Sequence, residues 1–513
     1  MKRSIWLEPK VIVCYALSLL ALAEMIDLTI VTIAVPQIMS SLNTNLDSIA
    51  MVATSYIIAA AIFTPLTGIA VKKIGTRKVV LIASGVFGIT SVLCGLAETL
   101  PEMIVFRLLQ GAGGAFLPSI AQGYIEKTFH GTRLEKPMLT VFACILVLGP
   151  ILGNILGGAL TAELNWRFIF FINVPVCVVG FMLVLLFMER TQPKTVNFDY
   201  SSLFLMALGL GTLEFFIDQG NRYNWFDSMT MVIVFSISMV SILLFILRGV
   251  LGSSVVNFKL FNARHINFMF NTFGVFCISI LITTGMAYFP TMLQQIYNYP
   301  VDTAAYITAP RGIAVLLSAP IVLLLSNSIG LRETMLLGIV SFAYGCIMLA
   351  HSGPISNIDQ LILSTVLQGF GLMAIFIPLL QLCNVGVSQD EREDASGVFN
   401  FFRIFGVSIG NSLAATLLSH QLNVSHQDLA ANISPYATGY GWWAQNLSGT
   451  TDEIKVVAAN MLVTHQSALI SYLDVFYWTG SVLLWLCWLP FLLKKPNHEK
   501  QGLIGLMHTL FIK

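Results

Sequence analysis

Apolar residues run along this chain in stretches of about twenty, separated by short polar segments. A helix rises ~1.5 Å per residue, so about 20 mostly apolar residues are what it takes to cross the hydrocarbon of a bilayer. On that measure the pattern predicts membrane spans at about 11–35, 49–71, 79–97, 101–125, 138–161 and 168–188. Two more follow at about 201–218 and 230–248, and six at about 266–289, 303–326, 333–351, 359–382, 398–419 and 471–493. The first stretch is basic at its start and could pass for a signal peptide. It runs on from Val11 to Val35 with no small-residue cleavage site, and reads as an uncleaved span.

Charge supports this count. Only 10% of the 513 residues are charged and 56% are hydrophobic, whereas soluble domains carry about 25% charged residues. Lys and Arg then test the threading. With the N-terminus inside, 21 of the 27 fall in cytoplasmic segments, among them Lys2, Arg3, Lys72, Lys73, Arg77, Lys127, Lys136, Lys194, Arg264, Arg332, Arg392, Lys494, Lys495, Lys500 and Lys513. Arg167, Arg222 and Lys455 fall outside, and Arg107, Arg311 and Arg403 lie within spans. A missed helix would scramble the alternation, so both termini are expected in the cytoplasm. The net charge of +1 and the lack of a dense basic run give no sign of nucleic-acid binding. The eight Cys show no CxxC spacing, which argues against a metal site or disulfide framework.

The two halves resemble each other. Asp47, Pro65, Gly75 and Arg77 recur 255 residues later as Asp302, Pro320, Gly330 and Arg332. Gln110, Gly111 and Gly113 recur as Gln368, Gly369 and Gly371; Gly149, Gly153 and Asn154 recur as Gly406, Gly410 and Asn411. The spacing predicts an all-α integral membrane fold. Residues 1–190 form an N-terminal six-helix bundle, 191–255 two inserted helices, and 256–495 a C-terminal six-helix bundle. The last includes a large polar outside loop at 420–470, and 496–513 form a cytoplasmic tail. Paired bundles rocking about a midplane site are a transporter plan.

Several motifs sharpen this. Asp27-Leu-Thr-Ile-Val-Thr-Ile-Ala-Val-Pro36 lies in span one. Gly68-IAVKKI-Gly75-TRK follows span two, and Arg107-LL-Gln110-Gly111-A-Gly113 lies in span four. Gly149-Pro150-IL-Gly153-NIL-Gly157-Gly158 lies in span five. Trp166-Arg167-FIFFI-Asn173-Val174-Pro175 precedes span six, and Asp218-Gln-Gly-Asn-Arg-Tyr-Asn-Trp225 ends span seven. Together, over about residues 10–495, these resemble the major facilitator superfamily, in particular its fourteen-helix drug:proton antiporter branch of the EmrB/QacA type. Lys72 stands where the superfamily's gating loop (here Gly68, Gly75 and Arg77) carries an acid. The resemblance implies the major facilitator fold of two six-helix bundles plus two inserted helices, with no cofactor. It also implies a place in the bacterial cytoplasmic membrane, and for some relatives a periplasmic adaptor and outer-membrane duct.

Proton exchange needs a group that binds a proton from one side and releases it to the other. The eight His lie in loops, span ends or the tail, so carboxylates must serve. Glu24 and Asp27 are three apart on one face of span one, and ionisable residues within spans are functional by default. A hydrated residue at a cavity mouth would be the plainer alternative. The resemblance assigns Arg107 a coupling role through a switchable carboxylate pair; a static buried ion pair would also account for it. Glu214 and Asp218 share a face of span seven as candidate cavity residues. Arg311 and Arg403 could meet anionic substrate groups, helix ends or lipid phosphate. Gly149, Pro150, Gly153, Gly157 and Gly158 would let spans pack face to face and form a seam that can seal the inward side.

The expected function is proton-coupled export of small lipophilic or cationic compounds. Export of one dedicated metabolite, such as a siderophore, shares the same motifs. A membrane sensor or lipid-modifying enzyme would need a soluble domain or a catalytic cluster at a membrane face. No GxxxxGK[ST] loop for ATP is present.

Overall fold

The structure is a computed structural model describing residues 8–493, apart from 45, 194–198, 253, 263–264, 354–356, 384, 432 and 434–451. Fourteen helices among the described residues are long and apolar enough to cross a membrane. They are α1 (Pro9–Ser41), α2 (Met51–Ile74), α3 (Thr76–Leu96), α4 (Leu100–Thr128), α5 (Glu135–Glu163), α6 (Phe168–Phe187), α7 (Tyr200–Gln219) and α8 (Met229–Val250). The C-terminal set is α9 (Ile266–Gln295), α10 (Thr303–Ser328), α11 (Leu331–Ala350), α12 (Ile358–Cys383), α13 (Arg392–Ala431) and α14 (Glu453–Leu492). The expected fourteen-span, all-helical fold is present. Lys2, Arg3, Lys194, Arg264 and the tail with Lys494, Lys495, Lys500 and Lys513 lie outside the described residues.

The internal repeat is physical as well as textual. A side chain on Gly111 of α4 would strike the Tyr56 carbonyl and Ala59 of α2, and one on Gly369 of α12 would strike the Arg311 carbonyl and Ala314 of α10. Gly113 abuts Phe87 and Ala83 of α3, and Gly371 abuts Phe342 and Gly338 of α11. Gly149 and Gly153 of α5 meet Met25 and the Ile26 carbonyl of α1, while Gly406 and Gly410 of α13 meet Ser279 and the Ile280 carbonyl of α9. Gly75 and Gly330, which open α3 and α11, both take the left-handed backbone that only glycine adopts cheaply, with φ of 88° and 108°. These contacts therefore match α1–α5 with α9–α13. The side chains of Asp47 and Asp302 lie outside the described residues.

Small residues set the helix approach. Without a hydrophobic force between helices in lipid, close van der Waals packing must hold them, and Gly149, Gly153 and Gly157 supply it for α5 on α1. Thr29 Oγ donates to the Pro150 carbonyl across the same line at 3.1 Å. Gly158 faces open space. The glycine seam thus lies inside the N-terminal bundle, and the residues that close one end between the bundles are different ones, described below.

Of the inserted pair, α7 reaches both bundles and α8 is the more exposed. α7 and α8 clasp each other through Ser238 Oγ and the Gly209 carbonyl at 2.9 Å, and through Arg248 and Asp199 at 2.8 Å. The Arg248 hydrogen bond holds the Asp199 carboxyl below its ordinary range. α7 then packs on both α2 and α13, one from each bundle.

The outside loop at 420–470 is a difference. α13 continues as helix to Ala431, and α14 begins by Glu453. At ~1.5 Å per residue, a 40-residue helix runs roughly 60 Å, about twice the hydrocarbon thickness. Beyond the apolar part the two helices stay paired through Gln421 with Asp474 at 2.6 Å and His426 with Asn460 at 3.3 Å. A polar sequence was read as loop because the hydropathy of a span ends there, yet helix continues wherever a neighbouring helix takes up its side chains. Tyr436, Tyr440, Trp442 and Trp443 lie outside the described residues.

Replacing Gly149 by leucine should force α5 off α1 and cost about 1–3 kcal/mol, as overpacking does. The same change at Gly158 should stay within about 0.5 kcal/mol. Thermal unfolding of the two purified variants against the parent checks the contrast.

Candidate functional site

Three polar centres sit in the apolar interior. The first lies inside the N-terminal bundle. Arg107 on α4 is fully buried and donates through Nη1 to Asp27 Oδ2 of α1 at 2.5 Å. The same nitrogen reaches Gln110 Oε1 at 2.8 Å, and Nε reaches the Val52 carbonyl at 3.2 Å. Asp27 Oδ1 accepts from Asn173 Nδ2 of α6 at 2.7 Å and from Gln110 Nε2 at 3.1 Å. Gln110 Nε2 also donates to Ser91 Oγ of α3 at 2.8 Å, and the Tyr56 ring lies under the guanidinium at 4.2 Å. Charge buried in low dielectric is tolerable only when paired and hydrogen-bonded. Here the pair is held by groups from four helices, α1, α2, α4 and α6, and α3 joins through Gln110. Asp27 and Arg107, singled out from the sequence, meet directly.

The second centre lies on the seam between bundles. Glu24, one turn before Asp27, is fully buried. Among the described residues its one hydrogen bond is a long one from Tyr56 Oη at 3.4 Å, and Oε2 has no partner. Arg403 of α13 faces it within electrostatic reach but not in contact. Arg403 donates instead to Asn400 Oδ1 at 3.3 Å and to Met25 Sδ of α1 at 3.6 Å. An acid from one bundle and a cation from the other thus confront each other without closing.

The third centre belongs to the insert. Glu214 of α7 is buried and accepts from Ser408 Oγ of α13, with Oε2 unpartnered. Asp218 is exposed at the end of α7 and accepts from Thr54 Oγ and Gln219 Nε2. These two acids share a face, as their spacing requires, but not an environment. Arg311 is in none of these three centres. It lies inside the C-terminal bundle, with Nη2 on Gln368 Oε1 at 2.7 Å and the Phe289 ring 5.8 Å away.

One end of the molecule is locked between bundles. Lys72 at the end of α2 pairs with Asp394 in the first turn of α13, and Lys127 at the end of α4 pairs with Glu393 at 3.0 Å. Arg392 donates to the Glu126 carbonyl at 2.6 Å, Ser396 to the Ser119 carbonyl at 2.9 Å, and Asn400 to Gln122 Oε1 at 2.7 Å. Gly68 has no room for a Cβ because Asp394 occupies that space. Asn257 Nδ2 gives Asp394 a further bond at 3.0 Å. Lys72, where the superfamily's loop carries an acid, therefore keeps the contact by reversing its sign: the cation is on the loop and the acid is on the helix. Arg77 turns the other way, onto the Leu185 carbonyl at the end of α6.

With this geometry in hand, comparison with known proteins decides the family. The sequence profile of the Major Facilitator Superfamily matches residues 17–411. The chain belongs to the Major Facilitator Superfamily. It is similar to the probable multidrug resistance protein EmrY of Escherichia coli (strain K12), 29% identical over 94% of this chain and 96% of that protein. It is similar to the multidrug export protein EmrB of the same strain, 27% identical over 95% and 96%. It is also similar to the fatty acid resistance protein FarB of Neisseria gonorrhoeae, 29% identical over 96% and 97%. Among solved structures, the proton:xylose symporter XylE matches with a TM-score of 0.57 at 14% identity, over 93% of this chain and 95% of that one. The human organic anion transporter MFSD10 matches with 0.58 at 11%, over 93% and 99%. At those identities the likeness is one of fold. Span number and relatives together put this superfamily member in the fourteen-helix drug:proton antiporter branch. It is a multi-pass transporter of the bacterial inner-membrane type, not an enzyme.

Asn173, Gln110, Ser91 and Tyr56 were not singled out as functional residues from the sequence. Two carried a signal, since Gln110 and Asn173 are fixed positions of the span-four and pre-span-six motifs. Ser91 and Tyr56 carried none, because an isolated Ser or Tyr in an apolar run has no pattern to betray its partner.

The reversed pair is separable from its neighbours. Lys72→Asp or Asp394→Lys alone should loosen the locked end and raise the labelling rate of a cysteine placed at Ser119 in a cysteine-free background. The double variant should restore it. The expected coupling is on the order of 1 kcal/mol, roughly fivefold in rate, read with a membrane-impermeant thiol reagent.

Proposed function

We propose that this transporter exports small lipophilic compounds in exchange for protons, with Asp27 and Arg107 as its coupling pair and Glu24 as the acid facing the route. The observation that carries the reading is the saturated Asp27–Arg107–Gln110–Asn173 cluster inside one bundle. Protonating a carboxylate held by a guanidinium and two carboxamides removes the charge that holds the guanidinium and weakens all three bonds. Protonation and rearrangement of α1 against α4 and α6 are therefore one event, which is what coupling requires. Glu24 is placed to be the relay. Its Oε2 has no partner and so has room for a hydrogen, and it faces Arg403 across the line along which the bundles separate. Glu214, bound to Ser408 of the other bundle, is assigned to the same seam and senses the same motion.

The reading includes orientation. Both termini are assigned to the cytoplasm, which makes the locked end around Lys72, Asp394, Lys127 and Glu393 the cytoplasmic one and the conformation outward-facing. Drug export and fatty-acid resistance are what the relatives' names describe, and lipophilic compounds are the class common to both. The projecting α13–α14 pair is assigned as the surface for a periplasmic adaptor leading to an outer-membrane duct.

Efflux of a lipophilic fluorescent dye from cells lacking their own pumps should require this protein and should stop on adding a protonophore. Asp27→Asn should abolish efflux at unchanged protein level. Arg107→Lys should also abolish it, or reduce it at least tenfold, because one ammonium cannot hold the Val52 carbonyl as Nε does while holding Asp27 and Gln110 as Nη1 does. Normal efflux in Asp27→Asn removes this pair from the mechanism.

A further inference from the structure

The repeat lets one bundle be checked against the other, and one group fails to balance. Gln110 and Gln368 are counterparts, since Gly111 and Gly369 beside them make matching contacts. Each carboxamide accepts from a buried arginine, Arg107 at 2.8 Å and Arg311 at 2.7 Å. Each donates through Nε2 to matching residues on the next helix, Ser91 Oγ and Cys346 Sγ. The polar core of the N-terminal bundle is thus repeated in the C-terminal one, with the arginine moved to the helix of Tyr56's counterpart.

The acid is not repeated. The contacts of Gly149 with Met25 and Gly153 with Ile26 pair with those of Gly406 with Ser279 and Gly410 with Ile280. That register puts Leu281 where the N-terminal bundle has Asp27, and Ile278 where it has Glu24. Arg107 spends three hydrogen bonds and meets a carboxylate. Arg311 is 5% exposed and makes one hydrogen bond, to a neutral amide. Among the described residues no carboxylate contacts it, and Nε is buried without a partner. Of the five donors a guanidinium presents, one has an acceptor among the described residues, and the buried Nε has none. A permanent cation buried in apolar surroundings is strongly disfavoured unless an anion joins it, and its planar fork matches a carboxylate.

Arg311 also lies at the right depth. It is eight residues past Thr303, roughly 12 Å from the start of α10 and so well inside the bilayer, at a depth from which it can reach the midplane region where transporters of this plan hold substrate. The next residue, Gly312, faces Ile151 and Leu148 of α5, so α10 borders the seam between bundles one position from Arg311.

From this imbalance we infer that Arg311 and Gln368 form an anion-binding subsite that receives the carboxylate of an amphipathic substrate, the apolar remainder lying along the seam. This rests on the transport reading above and narrows it: besides neutral or cationic compounds, the protein takes lipophilic organic acids. The carboxylate supplies what Asp27 supplies in the other bundle, but from the substrate, so the C-terminal bundle is charge-complete only when loaded.

The test uses a matched pair differing only in the head group, 1-naphthaleneacetate and its amide, with tetraphenylphosphonium as the cation. Binding to the purified full-length protein is measured by ligand-induced thermal stabilisation, separately from proton-driven efflux in liposomes. The parent should bind the carboxylate. Arg311→Gln should weaken that binding at least about tenfold, as loss of a buried charge-assisted pair does, and change the amide and tetraphenylphosphonium by less than about twofold. Arg311→Lys, which keeps the charge and guards against a misfolded glutamine variant, should bind the carboxylate with intermediate affinity and the amide as the parent does. Equal weakening of all three probes would make Arg311 a packing residue and overturn the inference. So would carboxylate binding indifferent to Arg311, no carboxylate binding by the parent, or stabilisation by chloride alone. Arg311-dependent binding without proton-driven efflux of any probe would leave the subsite standing and remove the exporter reading.

Discussion

A charge in hydrocarbon must find its counter-charge inside the protein, because no water is there to solvate it. That constraint organises the interior. Where it is met, as between Arg107 and Asp27, the result is a rigid knot. Asn173 of α6, Gln110 of α4 and Ser91 of α3 complete the hydrogen bonding, and Tyr56 of α2 lies under the cation. Where it is half met, as at Glu24 opposite Arg403, or unmet, as at Arg311, the protein holds a group whose balance depends on a proton, a substrate or a motion. The interior divides into settled and unsettled charges, and the unsettled ones lie at or near the seam along which the bundles must part.

The fold was legible because the bilayer imposes a coarse code. Span length, the segregation of Lys and Arg, and the recurrence of Gly75, Gly111 and Gly149 in the second half all follow from thickness, potential and packing, none of which needs a partner to be known. The site was legible only in part. Asp27 and Arg107 announced themselves as ions among apolar residues, but their partnership spans 80 positions and comes from helix packing, not spacing. Glu214 was visible as an acid in an apolar run, while its tie to Ser408, 194 positions away, was not. The long ends of α13 and α14 were misread for the opposite reason. Hydropathy reports the membrane, and where the helix leaves it, polarity no longer distinguishes a loop from a paired helix.

Lys72 illustrates how a departure from a family pattern is to be understood. An acid-to-lysine change at a loop that docks on a helix start ought to repel, since a helix N-terminus is itself electropositive. The repulsion is removed because α13 opens with Arg392, Glu393 and Asp394, and the two acids take up Lys127 and Lys72. The constraint lies on the sum of charges at that junction and not on the identity at one position. Such a pair can reverse sign and still close the same gap.

The same logic separates the two bundles. An ancestral repeat would have given both the same polar core, and the carboxamides of Gln110 and Gln368 still occupy equivalent places. The N-terminal bundle has a carboxylate for its arginine, and that pair is neutral without any ligand. The C-terminal bundle has an apolar Leu281 in that place and remains cationic. A transporter gains from this asymmetry. If both bundles were internally neutral, neither would discriminate loaded from empty, and a ligand with equal affinity for two states shifts nothing. Under the proposed coupling, one bundle answers to protons and the other carries unmatched positive charge, so different species drive them and the seam between them is where the two are compared.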